Sequence, residues 1–252
     1  MKGFQRVPMS LFFRFLLLPL VVFTGSVPNV AAGSVEGLVL PYRQVEVSAP
    51  VSSRIMEMKV KEGDKVKEGQ PLALLYGKLE ELEMQRAKAL LERREFEAKS
   101  SKRLYENRII PEAKALESRI ELDLARLQYE TAVEQVRLRT ILAPLDGVVL
   151  TSSREVGESV STAQPLFRIL DLSKVVIQFS VASKALAVLT PGRKVRVSLP
   201  QGSEPAAMEG EVTLVDPCAD AEGRVRVRVV VENPQQRIRS GLKALVEWPA
   251  AQ

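Results

Sequence analysis

One short phrase of sequence occurs twice in this chain, and a long segment of different composition separates the two copies. Residues 48–75 (SAPVSSRIMEMKVKEGDKVKEGQPLALL) align without gaps to residues 142–169 (LAPLDGVVLTSSREVGESVSTAQPLFRI) at a constant offset of 94. Each copy alternates apolar and polar residues in short runs between glycine-containing turns, which predicts β-strands. A single copy has too few strands to bury a core. We therefore predict that the copies pack face to face as one small β sandwich, split by an insertion.

The segment between the copies, roughly residues 78–139, is predicted to form two antiparallel helices. It is rich in Glu, Lys, Arg, Leu and Ala, which are strong helix formers, and Pro111 is its only proline. Because proline can begin a helix but not continue one, NRIIPE (107–112) is the expected tip of a hairpin about 42 Å long. Three- and four-residue spacing predicts which residues face the partner helix. They are Ile120, Leu124, Leu127, Thr131 and Leu138, with Glu134 as a polar exception, and Leu79, Leu82, Ala89, Phe96 and Leu104.

Residues 171–249 return to a β pattern and predict a small antiparallel barrel. Five strand candidates alternate with Pro and Gly turns, and SKALAVLT (183–190) predicts a short helix that closes one end. The strand RVRVRVVV (224–231) has one basic face, which we interpret as solvated surface rather than as a binding surface. The fold class predicted for the whole chain is thus mainly β with an α-helical coiled-coil hairpin.

The composition excludes several kinds of active site. The chain has no histidine and a single cysteine, Cys218. It therefore cannot form a Ser-His-Asp or Cys-His arrangement, a His/Cys zinc cluster, or a disulfide within the chain. Carboxylates and lysines are present but form no recognisable catalytic pair. We expect a protein that is not an enzyme, with no cofactor and no bound metal.

The first 32 residues have the pattern of a secretory signal peptide. Lys2, Arg6 and Arg14 make a basic start, the apolar run FLLLPLVVF (15–23) follows, and Val30-Ala31-Ala32 fits a cleavage site. The alternative is a retained anchor, but the apolar run is much shorter than the about 20 residues that a membrane span needs. Cleavage would lower the net charge from +5 to +2, which gives a nucleic-acid partner little support. We expect export to the periplasm.

In its order of segments, the chain resembles the periplasmic adaptor subunits, or membrane fusion proteins (HlyD-like), of tripartite efflux and secretion pumps. The two repeat copies, within 40–77 and 140–170, resemble the halves of that family's lipoyl-like (biotinyl-like) domain. RLYENRIIPEAKALES resembles its hairpin tip, and LSKVVIQFSVASKALAVLTPGRKVRV with RVRVVVENPQQRIRSGLKALVEW resembles its β-barrel domain. The resemblance implies a rigid collar, a hairpin that reaches toward an outer-membrane channel, and a barrel that contacts an inner-membrane transporter, RND-type rather than ABC-type. It also implies self-association into a ring, a trimer or a hexamer.

The resemblance places the partner-binding residues at the hairpin tip. The family's tip usually carries an Arg, a Leu four residues later and a Ser seven residues beyond that. The matching positions here are Ser100, Leu104 and Pro111, so only the leucine is kept. The residues expected to bind the channel or a neighbouring tip are Leu104, Asn107, Arg108, Ile109, Ile110 and Pro111.

Two alternatives stay open at this point. VKEGDKVKEGQPLALL also resembles biotin- and lipoate-carrying domains, which present a modified lysine on a tight hairpin between their halves. Here Met58-Lys59 lies before the Gly63 turn, and the chain after Leu75 reads YGKL and enters the predicted helix. The second alternative is an efflux adaptor that binds copper or silver. Met56 and Met58 would face one side of a strand, and thioethers favour monovalent copper.

Overall fold

The computed structural model describes residues 33–199 and 207–249, so the predicted signal segment 1–32 lies outside the described residues. The elements follow in chain order. They are β1 (Gly33–Ser48), β2 (Ser53–Met58), β3 (Lys65–Val66), β4 (Pro71–Leu75), α1 (Lys78–Glu106), α2 (Glu112–Arg137), β5 (Thr140–Leu142), β6 (Gly147–Ser152), β7 (Ser159–Val160), β8 (Pro165–Ala182), a 3-10 helix (Ser183–Ala187), β9 (Lys194–Ser198), β10 (Met208–Ala219), β11 (Arg224–Glu232) and β12 (Lys243–Trp248).

Six antiparallel strands close into a barrel in the order β1, β12, β9, β10, β11 and β8, with β8 paired back onto β1. Alternate side chains point into its core, as Val227, Val229 and Val231 do along β11. The barrel predicted from the sequence, with a short helix after β8, is confirmed. The sequence analysis missed one strand, because the first half of β1 belongs to the barrel although it lies far away in sequence.

Two long strands run through both β bodies. β1 has 16 residues and β8 has 18, and they pair with each other from Leu38–Gln178 in the barrel to Ser48–Pro165 in the sandwich. Beyond the barrel, the same two strands continue with β6 and β3 as one sheet of the sandwich. β5, β4, β2 and β7 form the facing sheet. The predicted split sandwich is confirmed, and continuous strands join it to the barrel.

The two repeat copies make equivalent hydrogen bonds across the sandwich. The N–H of Gly63 donates to the carbonyl of Val149, and that of Gly157 to the carbonyl of Ile55, at 2.8 and 2.9 Å. These donors and acceptors exchange places under the offset of 94 residues. The equivalence explains why the unit occurs twice, because the turn of each copy donates a hydrogen bond to the backbone of the other copy.

Comparison of the two copies also identifies one residue with a strained backbone conformation. Gly69 has φ +77°, and its counterpart in the second copy is Ala163, with φ +64°. Non-glycine residues avoid this left-handed region, which costs an alanine roughly 1 kcal/mol. We therefore expect Ala163→Gly to raise the free energy of unfolding by about 0.5–1 kcal/mol, measured by denaturant titration. The reciprocal control, Gly69→Ala, should lower it by a similar amount, and a loss of stability in Ala163→Gly would contradict the argument.

The helices of the hairpin pack through a different face from the one predicted. All ten apolar or Thr positions predicted to face the partner helix are exposed, including Phe96 and Leu127. That prediction is wrong. The residues between the helices are instead the buried Ala87, Ser118, Ala125 and Ala132, with the half-buried Met84, Leu91, Ala98, Leu122 and Val136.

The physical reason for the error is side-chain size. Small residues allow the two helices to approach closely, and the hydroxyl groups of Ser101 and Ser118 meet across the seam at 2.9 Å. Arg94 also crosses the seam, donating to Glu121 at 2.7 Å. The helices carry two heptad patterns, and the prediction chose the one with the larger apolar residues. The small-residue pattern forms the seam, and the large residues remain in solvent.

Candidate protein-binding surfaces

The barrel, the sandwich and the hairpin are joined in that order, and the two ends of the described chain pair with each other in the barrel. Gly33 pairs with Trp248 at the barrel end of β1. The hairpin leaves the sandwich near the other end of β1, where Ser53 Oγ donates to the Tyr76 carbonyl at 2.9 Å. The 29 residues of α1 extend about 43 Å beyond this point. Gly33 and the hairpin base thus lie at different ends of β1.

The base of the hairpin is held to the sandwich by one arginine. Arg139 forms an ion pair with Glu80 and donates to the Tyr76 carbonyl at 3.3 Å, while its own carbonyl accepts from the N–H of Leu75. About four-fifths of both charged side chains is buried. These contacts fix the direction of the first turn of α1, so the tip has a defined position relative to the sandwich.

The tip itself is a short turn held by backbone hydrogen bonds to the end of α1. After α1 ends, the N–H of Asn107 donates to the Arg103 carbonyl and that of Ile109 to the Leu104 carbonyl, at 3.0 and 2.8 Å. Arg108 lies in the left-handed region with φ +59°, an uncommon conformation for a residue with a long side chain. Pro111, in an extended conformation, precedes the first residue of α2. Backbone hydrogen bonds thus hold residues 107–109 against the last turn of α1.

Apolar side chains remain exposed at this tip. Ile109 is 66% exposed, and Leu104 and Tyr105 are about two-fifths exposed. Ile110 is half-buried, so Ile109 is the more exposed of the two neighbouring isoleucines. The structure places all six predicted tip residues on one turn and its flanking helix ends. Whether a partner binds there stays a prediction.

Sequence reasoning missed a polar cluster where the barrel meets the sandwich. Asp171 on β8 is buried and accepts hydrogen bonds from the N–H and Oγ of Ser173, at 3.0 and 2.6 Å, and from Arg43 Nε at 2.9 Å. The pairing of β1 and β8 is irregular between Pro41 and Arg43 at this level. Burial of the carboxyl group opposes its ionisation, but these hydrogen bonds outweigh burial and lower the pKa of Asp171. The cluster links β1 to β8 at the position of this irregularity.

The basic face of β11 is paired within the chain. This pairing supports its interpretation as solvated surface. Arg224 pairs with Asp220 and Glu222, Arg226 pairs with Asp216, and Arg228 donates a hydrogen bond to Gln178.

The two methionines proposed as soft metal ligands lie in different environments. Met56 is 46% exposed, whereas Met58 packs against the sandwich core. The register shifts between Ile55 and Glu57, and this bulge breaks the strand alternation. The prediction that both side chains face one side is wrong for that reason. Among residues 33–199 and 207–249 there is also no cluster of three His, Cys, Asp or Glu that could hold a metal ion.

The lysine hairpin required by the carrier alternative is replaced by the start of the helical insertion. Between Leu75 and Thr140 the chain passes through α1 and α2 instead of a tight turn. Lys59 directly follows β2 and donates to Glu57 at 2.9 Å.

In the described part of the chain, neither α1 nor α2 is long and apolar enough to cross a membrane.

Two protein-family models match the chain one after the other. Residues 43–172 match the barrel-sandwich hybrid domain of RND MFP proteins. Residues 174–252 match the CusB-like β-barrel domain. The first match alone spans half of the chain and includes both repeat copies with the hairpin between them.

Curated relatives show the same similarity at low identity. The nodulation protein NolF of Rhizobium meliloti (strain 1021) is 25% identical over 221 residues, which cover 82% of this chain and 60% of NolF. The cobalt-zinc-cadmium resistance protein CzcB of Cupriavidus metallidurans is 27% identical over 206 residues, which cover 73% of this chain and 38% of CzcB. The chain therefore spans less than two thirds of the length of these relatives.

Solved structures share the fold. A MacA–MexA chimera that contains the Pseudomonas aeruginosa MexA α-hairpin domain matches with a TM-score of 0.76 and 23% identity, covering 88% of this chain and 79% of the chimera. The membrane fusion protein Spr0693 of Streptococcus pneumoniae R6 matches with a TM-score of 0.68 and 18% identity, covering 87% of this chain and all of that one.

Proposed function

Because the chain belongs to the RND-type membrane fusion proteins, the periplasmic adaptor family that its sequence resembles, we propose that it connects an inner-membrane transporter to an outer-membrane channel. The observation that carries this proposal is the linear order of the molecule. The barrel contains Gly33 and Trp248, β1 and β8 join it to the sandwich, and the hairpin leaves the sandwich near the other end of β1. Such a shape suits a protein that holds two partners apart along one axis.

The barrel end is proposed to contact an RND-type transporter, and the role of the protein is non-catalytic. The barrel interior is filled by packed Val, Ile and Phe side chains. A protein partner would therefore bind the outer surface of the barrel. The charged side chains on β11 are paired with acidic or amide groups of the same chain. These features support a binding module in which shape decides the contact.

The hairpin is proposed to reach the channel with the tip residues Leu104 to Pro111. Leu104, Tyr105 and Ile109 are all exposed apolar side chains at this tip, and exposed apolar patches often mark protein-binding sites. Around the sandwich, several copies are proposed to assemble into a ring of three or six. A ring would surround the path that the exported molecule takes between the two membranes.

Export is proposed to remove residues 1–32, with the mature chain beginning near Gly33. β1 starts at that residue, so cleavage there would leave the whole barrel strand in place. N-terminal sequencing of the protein from its native envelope should find Gly33 or a close neighbour. Recovery of Met1 on the envelope-bound protein would show that the segment is kept as an anchor.

Deleting the hairpin tests whether it binds the channel while the rest of the chain binds the transporter. The deletion is feasible because β4 and β5 are paired neighbours at the hairpin base. Leu74 pairs with Thr140 and the N–H of Leu75 donates to the Arg139 carbonyl, so residues 76–138 can be replaced by an Asn-Gly turn that joins Leu75 to Arg139 directly. Both the full chain and this variant are purified from crosslinked envelopes. We expect the full chain to recover transporter and channel, and the variant to recover the transporter alone. Recovery of the channel by the variant would place channel binding outside the hairpin.

A further inference from the structure

The barrel and the sandwich are joined by a stretch of sheet that is only two strands wide. Along β8, the pairing with β6 ends at Leu170 and the pairing with β11 begins at Lys174. Residues 171–173 therefore have only β1 beside them, where residues 41–43 lie in an irregular register. We call this stretch the connector. A ribbon of two strands twists more than a wider sheet and is marginally stable alone, so the connector is where the two β bodies could move against each other.

Buried polar side chains are concentrated at the connector. Among the residues that the structure describes, three polar residues are buried, namely Ser118 in the helix seam, Asp171 and Asn233. Asp171 is 4% exposed and Asn233 is 3% exposed, and both contact residues 171–173. Burying a polar group is costly unless it is hydrogen-bonded, so a buried polar network favours one arrangement of the groups that satisfy it.

Asn233 takes the place of a neighbouring strand beside the connector. It follows Glu232, the last residue of β11 that pairs with β8. Its N–H donates to the carbonyl of Ser173, and its side-chain amide donates to the carbonyl of Leu172, both at 2.9 Å. The backbone and the side chain of one residue thus continue the hydrogen bonding of β11 along two residues that have no strand on that side.

The segment that begins with Asn233 also reaches the second connector strand. Residues 233–242 join β11 to β12, and we call them the strap. The side chain of Asn233 sets the shape of the strap, because it donates to the carbonyl of Ile238 and accepts from the N–H of that residue, at 3.0 and 3.1 Å. Ile238 packs into the barrel core. Near the other end of the strap, the N–H of Gly241 donates to the carbonyl of Val39 on β1 at 2.8 Å.

Asp171 links the same two strands through its carboxylate. It accepts from Arg43 Nε of β1 at 2.9 Å and from Ser173 Oγ of β8 at 2.6 Å. All three β8 residues of the connector are therefore held by polar contacts, Asp171 through its side chain and the next two through their carbonyls. A change in the angle between the barrel and the sandwich would break some of these hydrogen bonds and leave buried polar groups unpaired.

We propose that Asp171 and the strap form a brace that fixes the orientation of the barrel relative to the sandwich, with Asn233 as its positioning residue. Arg139 already fixes the hairpin to the sandwich. The brace extends this fixed geometry from the hairpin to the barrel. The consequence for transport rests on the proposed function. The surface that binds the transporter and the surface that binds the channel keep one relative orientation, so a movement of the barrel is passed on to the hairpin.

Distances across the connector test the brace in the purified chain without any partner, so a failure of the proposed function would not alter the result. Spin labels are attached at Lys184→Cys on the barrel and Val156→Cys on the sandwich, both exposed, in a Cys218→Ser background. Pulsed electron paramagnetic resonance should show one narrow distance distribution. Asn233→Ala should roughly double its width. Gln235→Ala, which removes an exposed amide of the same strap, is the matched control and should leave the width unchanged.

A second label pair separates movement at the connector from loss of folding. Lys184→Cys with Glu211→Cys places both labels on the barrel, and its distribution should stay narrow in every variant. If Asn233→Ala broadens this pair as well, the barrel has lost its fold, and Arg43→Gln then decides. The Arg43 side chain is 57% exposed, so this variant should fold and broaden only the distances across the connector. The brace is rejected if those distances stay as narrow as in the wild-type chain in both Asn233→Ala and Arg43→Gln.

Discussion

Replacing Ile109 by aspartate is expected to abolish efflux while changing the free energy of unfolding by less than about 0.5 kcal/mol. Ile109 is 66% exposed, so the folded chain loses little by its removal. A docked tip, in contrast, would bury the side chain, and a carboxylate there would lose its hydration without gaining a partner. Ile109 is the better choice than Ile110, because Ile110 is half-buried and its replacement would also disturb packing.

The matched control is Val156→Asp. Val156 is 58% exposed in a loop of the sandwich, so the chemical change and the exposure are similar but the position is far from the tip. Accumulation of the exported compound in cells and thermal unfolding of the purified variants give the two readouts. Normal efflux in a folded Ile109→Asp variant would exclude the tip as the docking site. An equal loss of efflux in Val156→Asp would show that the effect of Ile109→Asp is not specific to the tip.

Replacing Asp171 by alanine is expected to lower the free energy of unfolding by about 2–4 kcal/mol, the largest effect on stability that we predict. Its side chain is only 5% exposed and accepts from Ser173 and Arg43. Without the carboxylate, the N–H of Ser173 and the guanidinium of Arg43 lose their acceptor, and the two strands lose the link that bridges their irregular pairing. Asp171→Asn should cost less, because the amide oxygen can still accept from Ser173.

The control for this prediction lies on the same two strands. Glu46 and Arg168 also join β1 to β8, but both side chains are more than two-fifths exposed. Exposed ion pairs contribute little, so Glu46→Ala should cost less than about 1 kcal/mol. Denaturant unfolding of the two variants measures the difference. Equal losses would show that the junction does not depend on the buried carboxylate.

The stabilisation by Asp171 should depend on pH in one direction. Its pKa is lowered in the folded protein, so the native state favours the charged carboxylate more than the unfolded chain does. This contribution is complete above the ordinary aspartate pKa of about 3.9 and is lost as the pH falls through the lower folded value. The difference in melting temperature between the wild-type protein and Asp171→Asn should therefore shrink only in strong acid.

Much of the architecture could be predicted because it depends on local patterns. The doubled phrase predicts two equivalent half-sandwiches, and the structure shows Gly63 and Gly157 in equivalent turns. Pro111 predicts the break between the helices, and α2 begins directly after it. Strand alternation predicts the barrel for the same reason, because burial repeats with a period of two along each strand.

The errors arose where distant parts of the chain decide the outcome. The first half of β1 joins the barrel only because β8 and β12 lie beside it, and nothing in its own sequence separates it from the sandwich. The helix seam was misassigned because Ala125 and Ala132 look weaker than leucine as core residues. Their small size matters only once a second helix is near. The Asp171 cluster needs Arg43, which is remote in sequence, so no local signal could reveal it.

The central claim is that the two ends of this molecule hold two different membrane proteins. A photo-crosslinking residue placed at position 109 reports on the hairpin tip. One placed at Lys184, an exposed residue of the 3-10 helix after β8, reports on the barrel end. After illumination of living cells, we predict that position 109 captures the outer-membrane channel and that position 184 captures the inner-membrane transporter. Capture of the same membrane protein from both positions, or of the transporter from position 109, would contradict the account.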